Sequence, residues 1–273
     1  MSETNTVTVS IENAVATVTL NRPHKRNAMS PSLHIEMVDV LEKLRYETSS
    51  RVIVITGAGE AFCAGMDLKQ FFMDLKDNPA EFDRIYRMAT EWRFRTLRYY
   101  PKPTIAMVNG YCFGGAFSIV EGCDLAFAAK EATFGLSEVN FKHYPGGSVS
   151  KSLANLMRPR DALYYAMTGR PFKGDRAAEI GFINAAYPLA ELKGEVMALA
   201  QDIASKDPDA LTACKEGYRF SLEMSADAAI NYAAAKSDQL TMRQKDSWRN
   251  EGIGDFLQGK YRPGLGGHEN AEK

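Results

Sequence analysis

A mixed α/β fold with a helical C-terminal part is what this sequence predicts, on three observations. Val52-Ile-Val-Ile and Thr104-Ile-Ala-Met-Val are short apolar runs rich in β-branched residues, the signature of buried strands. Each leads through a turn, Gly57-Ala-Gly and Asn109-Gly, into a run of very small residues, Ala64-Gly-Met-Asp and Gly114-Gly-Ala. From residue 148 onward the apolar positions recur mostly at helical spacing.

In chain order, residues 7–11 and 15–20 alternate about Glu12-Asn-Ala and form a β-hairpin. Asn21-Arg-Pro ends it, and Ser30-Pro31 opens a helix whose apolar positions are Leu33, Met37, Val40 and Leu41. By composition the intervening Arg22, Lys25 and Arg26 lie in a solvated loop. After the strand at Val52 comes a polar and aromatic helical stretch, 71–98, whose Phe71, Phe72, Phe82, Tyr86, Trp92 and Phe94 read as a core face. Strand 104–108 is followed by a helix starting at Gly114-Gly-Ala, and 125–129 is a further strand. Short helices are expected at 148–156, 161–167 and 174–180, and longer amphipathic ones at 189–205, 208–220 and 226–240. A final helix at 247–257 precedes a frayed tail from Pro263.

Composition narrows the function classes. With 273 residues, 45% hydrophobic and 25% charged, the chain can bury a sizeable core. A net charge of -1 argues against a nucleic-acid binder. Cys63, Cys112, Cys123 and Cys214 lack Cys-x-x-Cys spacing, which implies reduced thiols and no structural zinc. His24, His34, His143 and His268 are too scattered to suggest a metal site. Met-Ser-Glu-Thr-Asn-Thr has no signal-peptide features, and no apolar run approaches the 18 or so residues of a membrane span. A cytoplasmic location, with no membrane and no nucleic-acid partner, is therefore expected.

The chemistry is expected at the small-residue turns. Glycines at a helix start leave backbone N–H groups bare at the positive end of the dipole, suited to an anion or to a carbonyl oxygen that becomes negative. One such turn by itself is better explained by close packing of a helix on a strand; two of them can aim two donors at one oxygen. Glu138, just past Phe134-Gly, reads by itself as a surface carboxylate.

Four motifs then identify a family. Asn21-Arg-Pro-x-Lys-Arg-Asn-Ala-Met29, Ala64-Gly-Met-Asp-Leu68, Lys102-Pro-Thr-Ile-Ala106 and Phe134-Gly-Leu-Ser-Glu138 together resemble the crotonase (enoyl-CoA hydratase/isomerase) superfamily, over residues 7–265. The resemblance implies a spiral of β-β-α turns, with residues 1–200 as a core carrying the coenzyme A site and 201–273 as a helical oligomerisation region of a homotrimer or dimer of trimers. It implies an oxyanion hole at the N–H groups of Met66 and Gly115, and an acid/base at Glu138. It places Lys25 and Arg26 near the phosphates of coenzyme A, and Ala28, Ala64, Asp67, Leu68, Phe71, Phe72, Gly114 and Gly146 along the substrate. No cofactor is implied, since coenzyme A enters as part of the substrate.

Within the superfamily one position points to a subgroup. A typical hydratase carries a second carboxylate two residues after the Gly-Gly-small run, where this chain has Ser118; Glu121, one helical turn on, is a lower-ranked candidate for it and is read first as structural. Ser118 within Cys112-Phe-Gly-Gly-x-Phe-Ser, with Ala132-Thr-Phe-Gly-Leu-Ser-Glu-x-Asn140, resembles the hydroxycinnamoyl-CoA hydratase-lyases. These hydrate feruloyl-, caffeoyl- or p-coumaroyl-CoA and cleave the adduct to an aromatic aldehyde and acetyl-CoA. Ser118 would hold the water or hydroxyl. The departures fall in the acyl pocket: Phe71 and Ala234 stand where the lyases have tyrosines, and Phe141-Lys-His-Tyr-Pro-Gly146 replaces an apolar run. Tyr144, Tyr232 or His143 would have to compensate. A plain enoyl-CoA hydratase and a non-catalytic crotonase-fold binding protein are the alternatives.

Overall fold

The computed structural model describes residues 5–260, so the expected tail from Pro263, with His268, lies outside the described residues. β1 (Val7–Glu12) and β2 (Val15–Leu20) pair antiparallel about Asn13 and Ala14, both at positive φ, as a two-residue hairpin turn requires. α1 (Pro31–Tyr46) starts where Ser30 accepts a hydrogen bond from the Leu33 N–H, with proline in the first turn. It buries Leu33, His34, Met37, Leu41 and Leu44, while Val40 is only half-buried. β3 (Val52–Gly57) is buried along its whole length and β4 (Ala61–Cys63) follows.

The stretch expected as one helix over 71–98 is broken. A wide π-type turn, Leu68–Met73, ends before Asn78, whose side chain caps α2 (Pro79–Thr90), and a second wide turn, Glu91–Thr96, follows. Asn78-Pro79 explains the restart, because proline disfavours helix at the residue before it. Its aromatic face is also divided: Phe71 and Trp92 are buried, whereas Phe72 and Tyr86 are exposed.

Next come β5 (Thr104–Val108), β6 (Tyr111–Phe113), α3 (Phe117–Gly122), β7 (Leu125–Ala129) and β8 (Thr133–Gly135). Beyond them lie α4 (Val149–Leu156), α5 (Pro159–Thr168), β9 (Phe172–Lys173), α6 (Gly174–Glu179), β10 (Ala185–Tyr187) and α7 (Leu189–Ser205).

The strands form two sheets, ordered β1-β2-β3-β5-β7-β10 and β4-β6-β8-β9, parallel except at β1/β2 and β8/β9. Successive strands alternate between them: β3, β5 and β7 go to the large sheet, β4, β6 and β8 to the small one. That alternation is a β-β-α spiral, and it stacks the loops that follow equivalent strands. Under α3 the rings of Phe117, Phe134, Phe172 and Phe182 pack at centroid distances of 4.6 to 6.3 Å, which fixes the helix against the small sheet.

The chain divides into two compact units after Pro208. In the second, α8 (Pro208–Ser221) and α9 (Ala226–Arg243) are linked by Lys236–Glu216 and Arg243–Asp209 ion pairs, and α10 (Gly254–Leu257) closes the described chain. Among the described residues no helix is long and apolar enough to cross a membrane.

Candidate active site

The segment 26–29 and the turn 64–67 are zipped together. The Ala64 N–H donates to the Arg26 carbonyl at 2.9 Å, the Met29 N–H to Gly65 at 2.8 Å, and the Asp67 N–H to Met29 at 2.9 Å. Met66 faces Met29 in this ladder, but its own N–H takes no part in it. Beneath the ladder Arg22 is fully buried rather than solvated. Its guanidinium donates to the Asp67 carboxylate at 3.0 Å and to the Ala28 carbonyl. Burial alone would push the Asp67 carboxyl up, but hydrogen bonds from the Gln70 N–H and Arg22 outweigh it and hold the group below the usual range. The composition-based reading of Arg22 thus fails: a buried carboxylate 45 positions away in sequence gives it a partner that no local pattern reveals.

The second donor turn meets the first. Gly65, at φ +91°, lies so close to the β6 end that an added Cβ would stand 2.9 Å from the Phe113 carbonyl oxygen and 3.6 Å from the Gly115 nitrogen. Met66 is also beside Gly115, its Cγ 3.5 Å from where a Gly115 Cβ would be, behind the Arg93 Nη1 at 2.7 Å and the Met29 Cε at 3.1 Å. The two residues expected to carry the donors are therefore adjacent, although 49 positions apart in sequence. Gly115 lies in the tight turn Gly114–Ala116 that leads into α3, where N–H groups have no acceptor in the preceding turn.

Glu138 completes the group. It opens the tight turn Glu138–Phe141 after β8, and its Oε1 would stand 2.7 Å from a Cβ on Gly114. Its Oε2 is buried without a hydrogen-bond partner among the described residues. Burial raises the carboxyl above the ordinary glutamate range, opposed by hydrogen bonding to its own backbone and by His143. A buried carboxyl whose hold on a proton is strengthened, beside two backbone donors, suits proton transfer next to a developing oxyanion.

Ser118, fully buried in α3, accepts a hydrogen bond from the Ser148 hydroxyl at 2.7 Å, which leaves its own proton free to donate. Glu121 is structural as expected, paired with Arg98 and receiving a 2.9 Å bond from Asn155. Sequence reasoning missed Ser148, which lies at a helix start with no motif of its own. It also missed Arg93, whose Nη1 donates to the Gly115 carbonyl at 2.8 Å.

Toward the periphery Lys25 and Leu68 are exposed, and Arg26 pairs with Glu60 at 2.9 Å above the Tyr111 ring. Phe71 packs in a small core with Ile85 and Ala89, its ring 5.0 Å from the exposed Phe72. Tyr144 is exposed and stacks on His143, its ring beside Gly146. Tyr232 belongs to the second unit, where its ring meets Phe220 at 5.5 Å and lies under Lys236.

The family model described as enoyl-CoA hydratase/isomerase matches residues 10–262. The chain belongs to the enoyl-CoA hydratase/isomerase family. One family relative, the hydroxycinnamoyl-CoA hydratase-lyase of Pseudomonas fluorescens, is 47% identical over 95% of both chains. The 2,3-dehydroadipyl-CoA hydratase of Escherichia coli is 32% identical over 92% of this chain and 94% of its own. The crystal structure of an enoyl-CoA hydratase from Bacillus anthracis superposes with a TM-score of 0.83 at 28% identity, over 93% of this chain and 96% of that one. The two alternating sheets are accordingly the crotonase fold, as expected from the motifs.

Proposed function

We propose that this protein is a lyase that hydrates hydroxycinnamoyl-CoA thioesters and cleaves the adduct to an aromatic aldehyde and acetyl-CoA. From feruloyl-CoA and water the products would be vanillin and acetyl-CoA. The observation that carries the reading is the grouping of Glu138, the Gly114-Gly115 turn and the Met66 turn, with Ser118 where a hydratase would have its second carboxylate. The 47% identity to a hydroxycinnamoyl-CoA hydratase-lyase supports it.

In this mechanism the thioester oxygen accepts from the Met66 and Gly115 N–H groups. Glu138 takes a proton from water as its oxygen attacks the β carbon, and an enolate forms; Glu138 returns that proton to the α carbon, which gives the β-hydroxy thioester and leaves the carboxylate ionised for the next step. For cleavage, Glu138 takes the β-hydroxyl proton. The Cα–Cβ bond breaks, the aldehyde leaves, and the acetyl-CoA enolate is held by the same two donors until it is protonated. Ser118, with its proton free, holds the water and then the hydroxyl. Coenzyme A enters as part of the substrate, with Lys25 and Arg26 beside its phosphates, and backbone donors do the work a metal would do elsewhere. The assembly is a cytoplasmic homotrimer or dimer of trimers, which would cover apolar residues exposed in the second unit, such as Ile230, Met242 and Leu257.

One observation favours a second reading, an enoyl-CoA hydratase acting on another aryl or alkyl group. Phe71 offers no hydroxyl to a buried para-hydroxyl, and a site lacking that partner disfavours the phenol.

The test is to mix purified protein with feruloyl-, p-coumaroyl-, cinnamoyl- and crotonyl-CoA and follow thioester loss, aldehyde and acetyl-CoA. Aldehyde from the hydroxylated substrates, abolished by Glu138→Gln, supports the lyase. Hydration of crotonyl-CoA with no aldehyde from any substrate sinks it in favour of the hydratase.

A further inference from the structure

Arg93 sits where no carboxylate of the described residues meets its charge. The wide turn Glu91–Thr96 shifts the helical register so that two successive residues, Trp92 and Arg93, both point inward. The guanidinium is held at two points: Nε donates to the Ala89 carbonyl at 2.8 Å and Nη1 to the Gly115 carbonyl at 2.8 Å. No carboxylate among the described residues forms an ion pair with it. The neighbours that act on it electrostatically are the Cys63 thiol and the Tyr86 phenol, neither of them a carboxylate, and burial pushes that thiol up to about 12, so it is neutral at physiological pH.

The surroundings confirm an unbalanced positive site. His34, fully buried, accepts the Trp92 indole N–H on Nδ1 at 3.0 Å, and its Nε2 has no partner. Burial, helped by the Arg93 charge, holds this imidazole well below its usual range, hence neutral. Arg93 itself is lowered only to about 10 by burial and so stays charged at neutral pH. The contrast with Arg22 is instructive: that equally buried arginine has the Asp67 carboxylate at 3.0 Å. A buried charge is ordinarily paired, and an unpaired one is costly. A counter-charge arriving from outside the fold would offset that cost.

We propose that Arg93 is a positioning residue for the oxyanion donors: it pins Gly115 through its carbonyl, and its guanidinium provides the buried positive charge that the thioester enolate balances. This inference rests on the acyl-CoA chemistry proposed above. It requires no contact between Arg93 and the substrate. Gly115 is the residue with most freedom to misdirect its N–H, and fixing its carbonyl to a rigid, doubly held group removes that freedom. The charge then lowers the energy of the enolate relative to the neutral thioester, which is the difference that governs rate.

The experiment reads polarisation of a bound thioester directly. In the full-length chain carrying Glu138→Gln, which holds substrate unreacted, the long-wavelength absorption of p-coumaroyl-CoA is recorded free and bound, with Arg93 intact and with Arg93→Gln. The expected result is a red shift on binding that the Arg93→Gln protein largely loses, with Kd within about threefold. In the Glu138 background, Arg93→Gln is expected to lower kcat roughly 10- to 100-fold, short of the loss for deleting a direct donor, with KM within about threefold. An undiminished red shift in Arg93→Gln overturns the proposal, as does a bound substrate with no shift in either protein. Failure of the unsubstituted chain to bind or turn over any of the acyl-CoA thioesters would instead bring down the functional reading, and this inference with it. Should Arg93→Gln not fold, Arg93→Lys decides: it keeps the charge but not the two-point hold, so a reduced shift and reduced kcat are expected, and wild-type values for both refute the role.

Discussion

Replacing Gly114 by alanine separates catalysis from stability in a way the geometry makes quantitative. Gly114 has φ +50°, and the new Cβ would stand 2.7 Å from Glu138 Oε1 and 3.6 Å from its Cδ. Ordinary contact begins at 3.4 Å, so the carboxylate must withdraw by about 0.7 Å. The displaced atom is the far end of a flexible side chain, so the clash itself is relieved cheaply. What remains is the left-handed backbone conformation, roughly 1–2 kcal/mol for a residue with a Cβ. For a unit of this size that lowers Tm by several degrees, about 2–4 °C per kcal/mol. Activity should suffer far more, because misplacing a reacting group by about 1 Å costs on the order of 100-fold. The assay is aldehyde release from p-coumaroyl-CoA, with kcat and KM separated, beside a thermal melt of the same preparation. KM is expected within a few-fold of wild type, since Lys25, Arg26 and the 64–67 turn are untouched. Gly57→Ala is the contrasting control: its Cβ would strike the backbone of Ala61 and Phe62, which cannot swing away, so stability is lost first. A Gly114→Ala protein with wild-type kcat would refute the placement of Glu138 at the reacting centre.

Glu138→Gln should abolish turnover yet melt higher than wild type at pH 8. Burial raises the Glu138 carboxyl above its unfolded value, so its contribution to stability is full at low pH and is lost as pH rises through the raised value. The gap in Tm should therefore close as pH falls below the ordinary glutamate value, about 4.3. By the same shift, the acid limb of the wild-type kcat profile should lie above that value, because the base must be ionised to act. Ser148→Ala removes the hydrogen bond that orients Ser118 and should lower kcat for cleavage roughly 5- to 10-fold with unchanged urea stability within about 1 kcal/mol. Asp67→Ala leaves Arg22 buried without its carboxylate and should cost roughly 3–5 kcal/mol in urea unfolding. Asp67→Leu combined with Arg22→Met should cost clearly less than the sum of the two single changes.

Much of the fold is legible in the chain because its signals are local. The strands at Val52 and Thr104, the Ser30-Pro31 helix start, and the helices from Leu189 onward declare themselves by side-chain branching, capping and period, and the structure places them within a few residues of expectation. The strands β4, β6, β8, β9 and β10 went unread, since two or three residues cannot establish a period. The first four of those short strands build the second sheet and β10 adds the last strand to the large one, which completes the spiral. The wide turns at Leu68 and Glu91 were likewise invisible, and the second is what turns Arg93 inward beside Trp92.

By itself the sequence determined the strand-and-turn units, the bare donors at Met66 and Gly115, the family resemblance, and Glu138 and Ser118 as residues of interest. The strand-and-turn units follow from residue type and short-range spacing; Met66, Gly115, Glu138 and Ser118 are what the resemblance carried by the motifs implies. Only tertiary structure decided that Gly65 would nest against Phe113 and bring the two donor turns together. Nor did any local pattern reveal that Arg22 is buried on Asp67, that Ser148 reaches Ser118, or that Arg93 holds Gly115 without a carboxylate. These contacts join residues from 22 to 45 positions apart, or 49 for the donors, and depend on two sheets stacking in register. A buried charge acquires its meaning from what the fold sets beside it, and one sequence carries no record of that neighbour.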